Sequence, residues 1–265
     1  MTTEYLVLPS SSPWHARLLV ALATLLAFVL WRHGPVAQWA SYHAFADRRV
    51  WLGIANAADV LSNLPFAGVG LWGLIRLARA RGAMPARAAW QVFCAALVCT
   101  AAGSAFYHLA PDNAALVADR LPIAWACAAL LCAFLAERVN PRWAGVPVLA
   151  AALVAATAAV LYWWVTERHG AGDLRPYVFV QFLPMLVVPA ALLLRMVAAG
   201  GDRVTPPSAW WAVLALYAAA KGMELADHAV FDASGFTSGH TLKHLLTAAA
   251  AGWIVRAAVR CGQLR

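Results

Sequence analysis

Long apolar runs, separated by short polar stretches, fill the chain. Eight runs can be drawn, near 16–32, 53–77, 88–109, 117–137, 144–165, 176–198, 208–230 and 238–259. Most are close to the roughly 20 residues a helix needs to cross a bilayer. The ten-residue alternation of a membrane barrel strand is absent. The expected fold is therefore all-α, a polytopic membrane helix bundle with eight transmembrane helices. No soluble domain fits between the runs, and no low-complexity linker or short repeat separates them, so 1–265 reads as a single transmembrane helical domain. The first run invites a second reading, because its apolar core from Leu18 to Trp31 is short enough for a signal peptide. Glu4 and the weakly positive tail before it favour a retained span.

Polar side chains inside these runs are the informative exceptions, since an ionisable group among lipid tails is costly and normally faces the bundle interior. The second run opens with Asn56, Asp59, Ser62 and Asn63. Asp59, Ser62 and Asn63 fall at i, i+3 and i+4, hence on one helix face. They serve either interhelical hydrogen bonding or a site. The third run ends in Gly-Ser-Ala-Phe-Tyr-His, 103–108, where Ser104 and His108 are four apart. Asp119 precedes Leu121 and Pro122 at the start of the fourth run, as a helix cap or as a catalytic carboxylate. Segments five and six carry no carboxylate or histidine in their cores and read as scaffold or acyl-chain walls. Lys221, Glu224, Asp227 and His228 share a face of the seventh run. Lys221 and Glu224 form the natural pair, in an ion network that supports the bundle or in catalysis. The last run opens with Ser-Gly-His-Thr-Leu-Lys-His, 238–244, whose His240 and His244 lie one turn apart.

Composition agrees with the membrane assignment. The chain has 265 residues, 63% of them hydrophobic and 12% charged. A soluble domain carries about 25% charged residues. Mean hydropathy is +0.68. The net charge of +8 would suit nucleic acid in a soluble protein. Here the arginines cluster in short loops, which reads as topology and contact with anionic headgroups, not nucleic acid. With the N-terminus cytoplasmic, twelve arginines fall inside (17, 76, 79, 81, 87, 138, 142, 195, 203, 256, 260, 265) and six outside (32, 48, 49, 120, 168, 175). That bias places both termini inside and the ends carrying His108, His240 and His244 outside. The five cysteines form no CxxC and imply no disulfide framework.

The outward ends of segments three, four and eight thus bring together His108, His240, His244, Asp119 and Ser104. Three imidazoles with one open position are the layout of a catalytic zinc. Zinc acidifies its water, a carboxylate can take the proton, and a hydroxyl can donate to the oxyanion formed from a carbonyl. No cysteine joins the set, which disfavours soft metals. His169, in the loop after segment five, is read as solvated.

The chain resembles the alkaline ceramidases, within the group of membrane hydrolases that includes adiponectin receptors and Per1-like proteins. The resemblance covers roughly residues 47–258 and rests on Asp-Val-Leu-Ser-Asn (59–63), Gly-Ser-Ala-Phe-Tyr-His (103–108), Asp-Arg-Leu-Pro (119–122) and Ser-Gly-His-Thr-Leu-Lys-His (238–244). It implies a seven-span core, with 1–46 as an extra N-terminal span and loop. It implies zinc on His108, His240 and His244, with Asp119 and Ser104 attending the zinc water and the amide. Asp59, Ser62, Asn63, Lys221, Glu224 and Asp227 are expected to support the site. Eukaryotic members also carry an acidic calcium site. Here only Asp47 and Asn56 match two of its ligands, so calcium is expected to bind weakly or not at all. The implied activity is cleavage of the amide bond of ceramide or a similar N-acyl lipid from the bilayer. The Ala- and Arg-rich composition points to a bacterial inner membrane, so an N-acyl amino lipid stands as the second candidate substrate after ceramide. The competing classes are a zinc-stabilised lipid receptor of the adiponectin-receptor type and a transporter; the paired repeats of a transporter are absent.

Overall fold

A computed structural model describes residues 13–80, 84, 86–197 and 204–263. Glu4, Arg81, Arg203 and Arg265, used above for the first span and for orientation, lie outside the described residues. Within these, ten α-helices and two 3-10 turns account for the regular structure, and no strand forms. The helices are α1 (Pro13–His33), α2 (Ala57–Leu61), α3 (Leu64–Arg79), α4 (Arg87–Leu109), α5 (Asn113–Arg138), α6 (Val146–Arg168), α7 (Arg175–Leu193), α8 (Pro207–Leu225), α9 (Asp227–Ser234) and α10 (Gly239–Gln263). This is an all-α polytopic bundle.

Seven spans, counting α2 and α3 together, are long and apolar enough to cross a membrane. The eighth expected span differs. α8 is 19 residues long, but the charges of Lys221 and Glu224 near its end keep it out of that set. α8 lies along α10.

Two expected spans are broken. The second run divides at Ser62–Asn63 into α2 and α3. Pro65 sits in the first turn of α3, has no N–H for the carbonyl of Leu61, and so prevents one continuous helix. The seventh run divides at Ala226 into α8 and α9. No proline explains that break; the start of α10 packs into it.

α4, α5 and α10 form the buried centre, while α1 is almost wholly uncovered by protein and rests on α7. The link after α1 is tied to the α6–α7 loop: Leu174 N–H donates to Val36 O at 2.8 Å, and Val36 N–H to Asp173 Oδ1 at 3.4 Å. The core divides into two clusters. The larger packs Trp90, Phe93, Phe134 and Trp210 with Ile254 and Val255 of α10. The smaller packs Phe45, Tyr107, Leu116, Val160, Trp163 and Tyr177 at the end where the candidate residues gather. At the opposite end Glu137 accepts from Trp90 Nε1 at 3.1 Å and from Thr205 N at 2.9 Å, and Arg138 donates to the Thr205 carbonyl. This satisfies a buried acid with neutral donors.

Candidate metal centre

Glycines let the helices bearing the candidate residues meet. A Cβ on Gly103 would collide with the carbonyl of Ala118, so α4 and α5 cross backbone to backbone. The crossing sets Ser104, next to Gly103 on α4, close to Asp119 of α5, where its hydroxyl interacts with the carboxylate. A Cβ on Gly239 would collide with Met223 O and with the backbone of Asp227. Its absence lets the first turn of α10 enter the α8–α9 break. Ser238 caps that turn, accepting from Thr241 N at 3.0 Å, as hydroxyl caps do.

His108 at the end of α4 and His240 and His244 at the start of α10 converge. Ring centroids lie 4.9 Å apart for His108–His240, 5.0 Å for His108–His244 and 4.8 Å for His240–His244. All three are buried, and one nitrogen from each lies within 4.8 Å of the others. Among the described residues this is the only such group of three or more His, Cys, Asp or Glu.

The hydrogen bonds fix which nitrogens are free. Ser62 Oγ donates its one proton to Asp59 O at 3.0 Å. Its 2.8 Å contact with His244 Nδ1 is therefore made by accepting, so Nδ1 carries the proton and Nε2 keeps its lone pair. Lys243 Nζ donates to His240 Nε2 at 3.0 Å, so that lone pair is engaged, and a metal ion binding there would displace the ammonium. His108 Nδ1 is buried without a partner. By ligand type, three buried imidazoles this close suit a borderline divalent cation.

The surrounding ties come from distant parts of the chain. Asp59 Oδ1 accepts from Thr241 Oγ1 at 2.7 Å, and Asn63 Nδ2 donates to Asp59 O at 2.8 Å. Asn56 Nδ2 donates to His108 O at 2.7 Å. Asp227 clamps two segments, accepting from Ala46 N at 3.0 Å and from His240 N at 2.7 Å. The Phe45 ring covers the group, 4.6 Å from His108 and 4.5 Å from His240. His43 lies outside it, bonded to Tyr107 Oη at 2.8 Å and Asn113 Oδ1 at 2.9 Å.

Several expectations change. Asp119 is no helix cap: Asp112 is, accepting from Ala115 N at 2.6 Å, and Asp119 lies well inside α5. Asp119 Oδ1 is buried without a partner. Lys221 pairs with Glu224 at 2.5 Å as expected, but Asp227 and His228 do not join them. Asp227 binds backbone amides, and His228 Nε2 contacts Ala44 O at 2.9 Å. The third partner of the pair is Lys243, 3.2 Å from Glu224. Asp47 and Asn56, the calcium candidates, have their side chains engaged elsewhere. Arg49 takes both Asp47 oxygens, at 2.8 and 2.7 Å, and Asn56 holds the His108 carbonyl. Arg49 thus supplies the positive charge beside Asp47, and holds its carboxyl below the usual carboxylate range through that hydrogen bond. His169 bonds its own helix at Val165 O and stands apart from the group. Lys243 and Phe45 escape a reading by sequence. Lys243 had a usable signal, three residues after His240; Phe45 had none beyond its place in the 42–49 stretch.

Fold and site together define a helical membrane protein with a buried three-histidine group able to hold a metal ion, and with a carboxylate and a hydroxyl on the adjoining helices. No protein-family model, curated protein or solved structure matches the chain.

Proposed function

We propose that this protein is a zinc-dependent intramembrane hydrolase that cleaves the amide bond of a long-chain N-acyl lipid, ceramide or a relative, as its resemblance to the alkaline ceramidases implies. Its setting is a bacterial inner membrane, with both termini cytoplasmic and the site toward the outer face. The supporting observation is the close α4–α5 crossing, which sets Asp119 of α5 near Ser104 of α4, the helix that also carries His108.

His108, His240 and His244 would hold the zinc, which when bound supplies Lewis acidity toward a carbonyl and makes water acidic. The chain's own groups do the rest. Asp119, with one buried oxygen free of partners, would take a proton from the attacking water and pass it to the leaving nitrogen. The C–O bond forms as the C–N bond breaks, giving a fatty acid and an amine. Ser104, near Asp119 across the crossing, would donate to the amide oxygen as charge develops there. Asp59, Ser62, Asn56 and Asp227 hold the imidazoles in place. Phe45 excludes water from the His108–His240 side. A long acyl chain lying among the apolar helices contributes about 0.8 kcal/mol per buried CH₂, an anchor a soluble amide lacks.

The test is a panel of lipid amides, with metal content followed by mass spectrometry. Zinc-loaded protein should release fatty acid, chelation should abolish release, and rates should fall steeply as the acyl chain shortens. Zinc-loaded protein that cleaves no lipid amide yet binds lipid tightly would instead be a receptor of the adiponectin-receptor type.

A further inference from the structure

Arg120 follows Asp119 on α5 and enters a different compartment. Consecutive helix residues leave the axis about 100° apart. Asp119 meets Ser104, while Arg120 lies among α6, α7 and the 3-10 turn 40–43. Its guanidinium carbon is 4.0 Å from the ring centroid of Trp163, 5.1 Å from Tyr177 and 5.4 Å from Tyr42. Its Nη2 donates to Gln38 Oε1 at 2.5 Å.

Arg120 is only 4% exposed, yet its Nε and Nη1 have no acceptor, and neither does the buried Nε1 of Trp163. Three donors without an acceptor thus share one cage. Arginine stays protonated at any working pH. A buried donor left unpaired is costly, and a charged one more so. The aromatic faces offset part of that cost through cation–π contact. They offer nothing to the N–H groups, which point out in the guanidinium plane. A purely structural anchor explains the stacking and the Gln38 bond but leaves those donors unexplained. The acid nearest in sequence, Asp119, lies within electrostatic reach of Arg120 but accepts no hydrogen bond from it. Tyr42 links the compartments, lying within electrostatic reach of Lys243 on the histidine side and of Arg120.

We propose that this cage is a head-group subsite taking an oxyanion, carboxylate or phosphate, carried on the amine half of the N-acyl lipid. The assignment rests on the amide-hydrolase reading, and it selects within that substrate class. A lipid with a neutral head, ceramide included, leaves the Arg120 donors unmet. An N-acyl amino acid or an N-acyl phosphoamine satisfies them.

The test measures equilibrium binding to the full chain in nanodiscs, by displacement of a fluorescent N-acyl lipid, so that it does not depend on turnover. The probes are N-palmitoylglycine, the phosphate ester of N-palmitoylethanolamine, and neutral N-palmitoylethanolamine, all with one chain and one amide. Wild type should bind at least one acidic probe about tenfold or more tighter than the neutral one, the worth of one charged hydrogen bond. The two acidic probes separate carboxylate from phosphate. Arg120→Gln should bring the preference near unity, Arg120→Lys should keep part of it, and metal content reports whether each variant is folded. Trp163→Phe, which keeps a ring and removes one donor, should reduce the preference and serves if Arg120→Gln does not fold. Equal wild-type affinity for charged and neutral probes would overturn the subsite, as would a preference that survives Arg120→Gln. Acid-selective binding without hydrolysis of any probe would overturn the hydrolase reading alone.

Discussion

Ser62 decides which nitrogen of His244 faces the histidine group, because its single proton goes to the Asp59 carbonyl. Ser62→Ala should therefore weaken zinc binding by about 10–100-fold, the usual cost of losing such a support. Competition with a chelator of known affinity measures it, and unchanged affinity would show that the ring needs no fixing. Asp119→Asn should keep the metal and lower turnover about 10²–10⁴-fold, since an amide cannot take the proton; near-normal rates would reduce Asp119 to a packing residue. At this scale the sequence was most legible where spacing alone carries meaning. His240 and His244 one turn apart, Ser104 and His108 one turn apart, and Lys221 with Glu224 all stand as the i, i+3 and i, i+4 rules place them. Partners chosen by tertiary folding were not legible. Nothing local tells that Lys243 also turns to Glu224, that Asp227 binds two backbone amides, or that Phe45 roofs the group.

At the scale of elements, the site depends on two helix contacts made without side chains between them. Gly239→Ala should push α10 out of the α8–α9 break, displacing His240 and costing both stability and bound metal; an unaltered melting temperature and metal content would contradict the close packing. The breaks explain where sequence periodicity misled. Pro65 was a visible marker of the α2–α3 break, whereas the α8–α9 break answers to the incoming turn of α10. Outside the spans, the loops are closed by charge. Arg49 lowers Asp47. Burial pushes Asp173 up, but hydrogen bonds from Arg175 outweigh it and leave a net lowering. Carboxyls held below their unfolded value stabilise fully above that value, about 3.9, and lose the contribution as pH falls through the folded one. Amide exchange in 44–49 and 171–175 should thus be flat between about pH 5 and 7, after correction for intrinsic rates, and lose protection below about pH 4. Loss of protection on raising the pH instead would reverse the assignment.

For the whole molecule, apolar run length predicted the bundle, in which α1 stands to one side on α7 while α4, α5 and α10 make the centre. The charges that α8 brings to α10 explain why one expected span lacks the apolar character of the others. Orientation is tested by reporters fused after Arg265 and within 169–173, which should report opposite compartments, cytoplasmic and external. The same compartment for both would refute the eight-crossing topology. One further consequence comes from the distances spanned along the chain. Ser62 and His244 are 182 residues apart, and two of the three histidines lie on the last helix. Chains are made at about 5–20 residues per second, so His108 waits roughly ten seconds for its partners. A ribosome that stops before α10 leaves a polypeptide with most of its membrane helices and no grip on metal. If the three histidines hold a metal, its retention would report, inside the cell, that synthesis ran to the final helix.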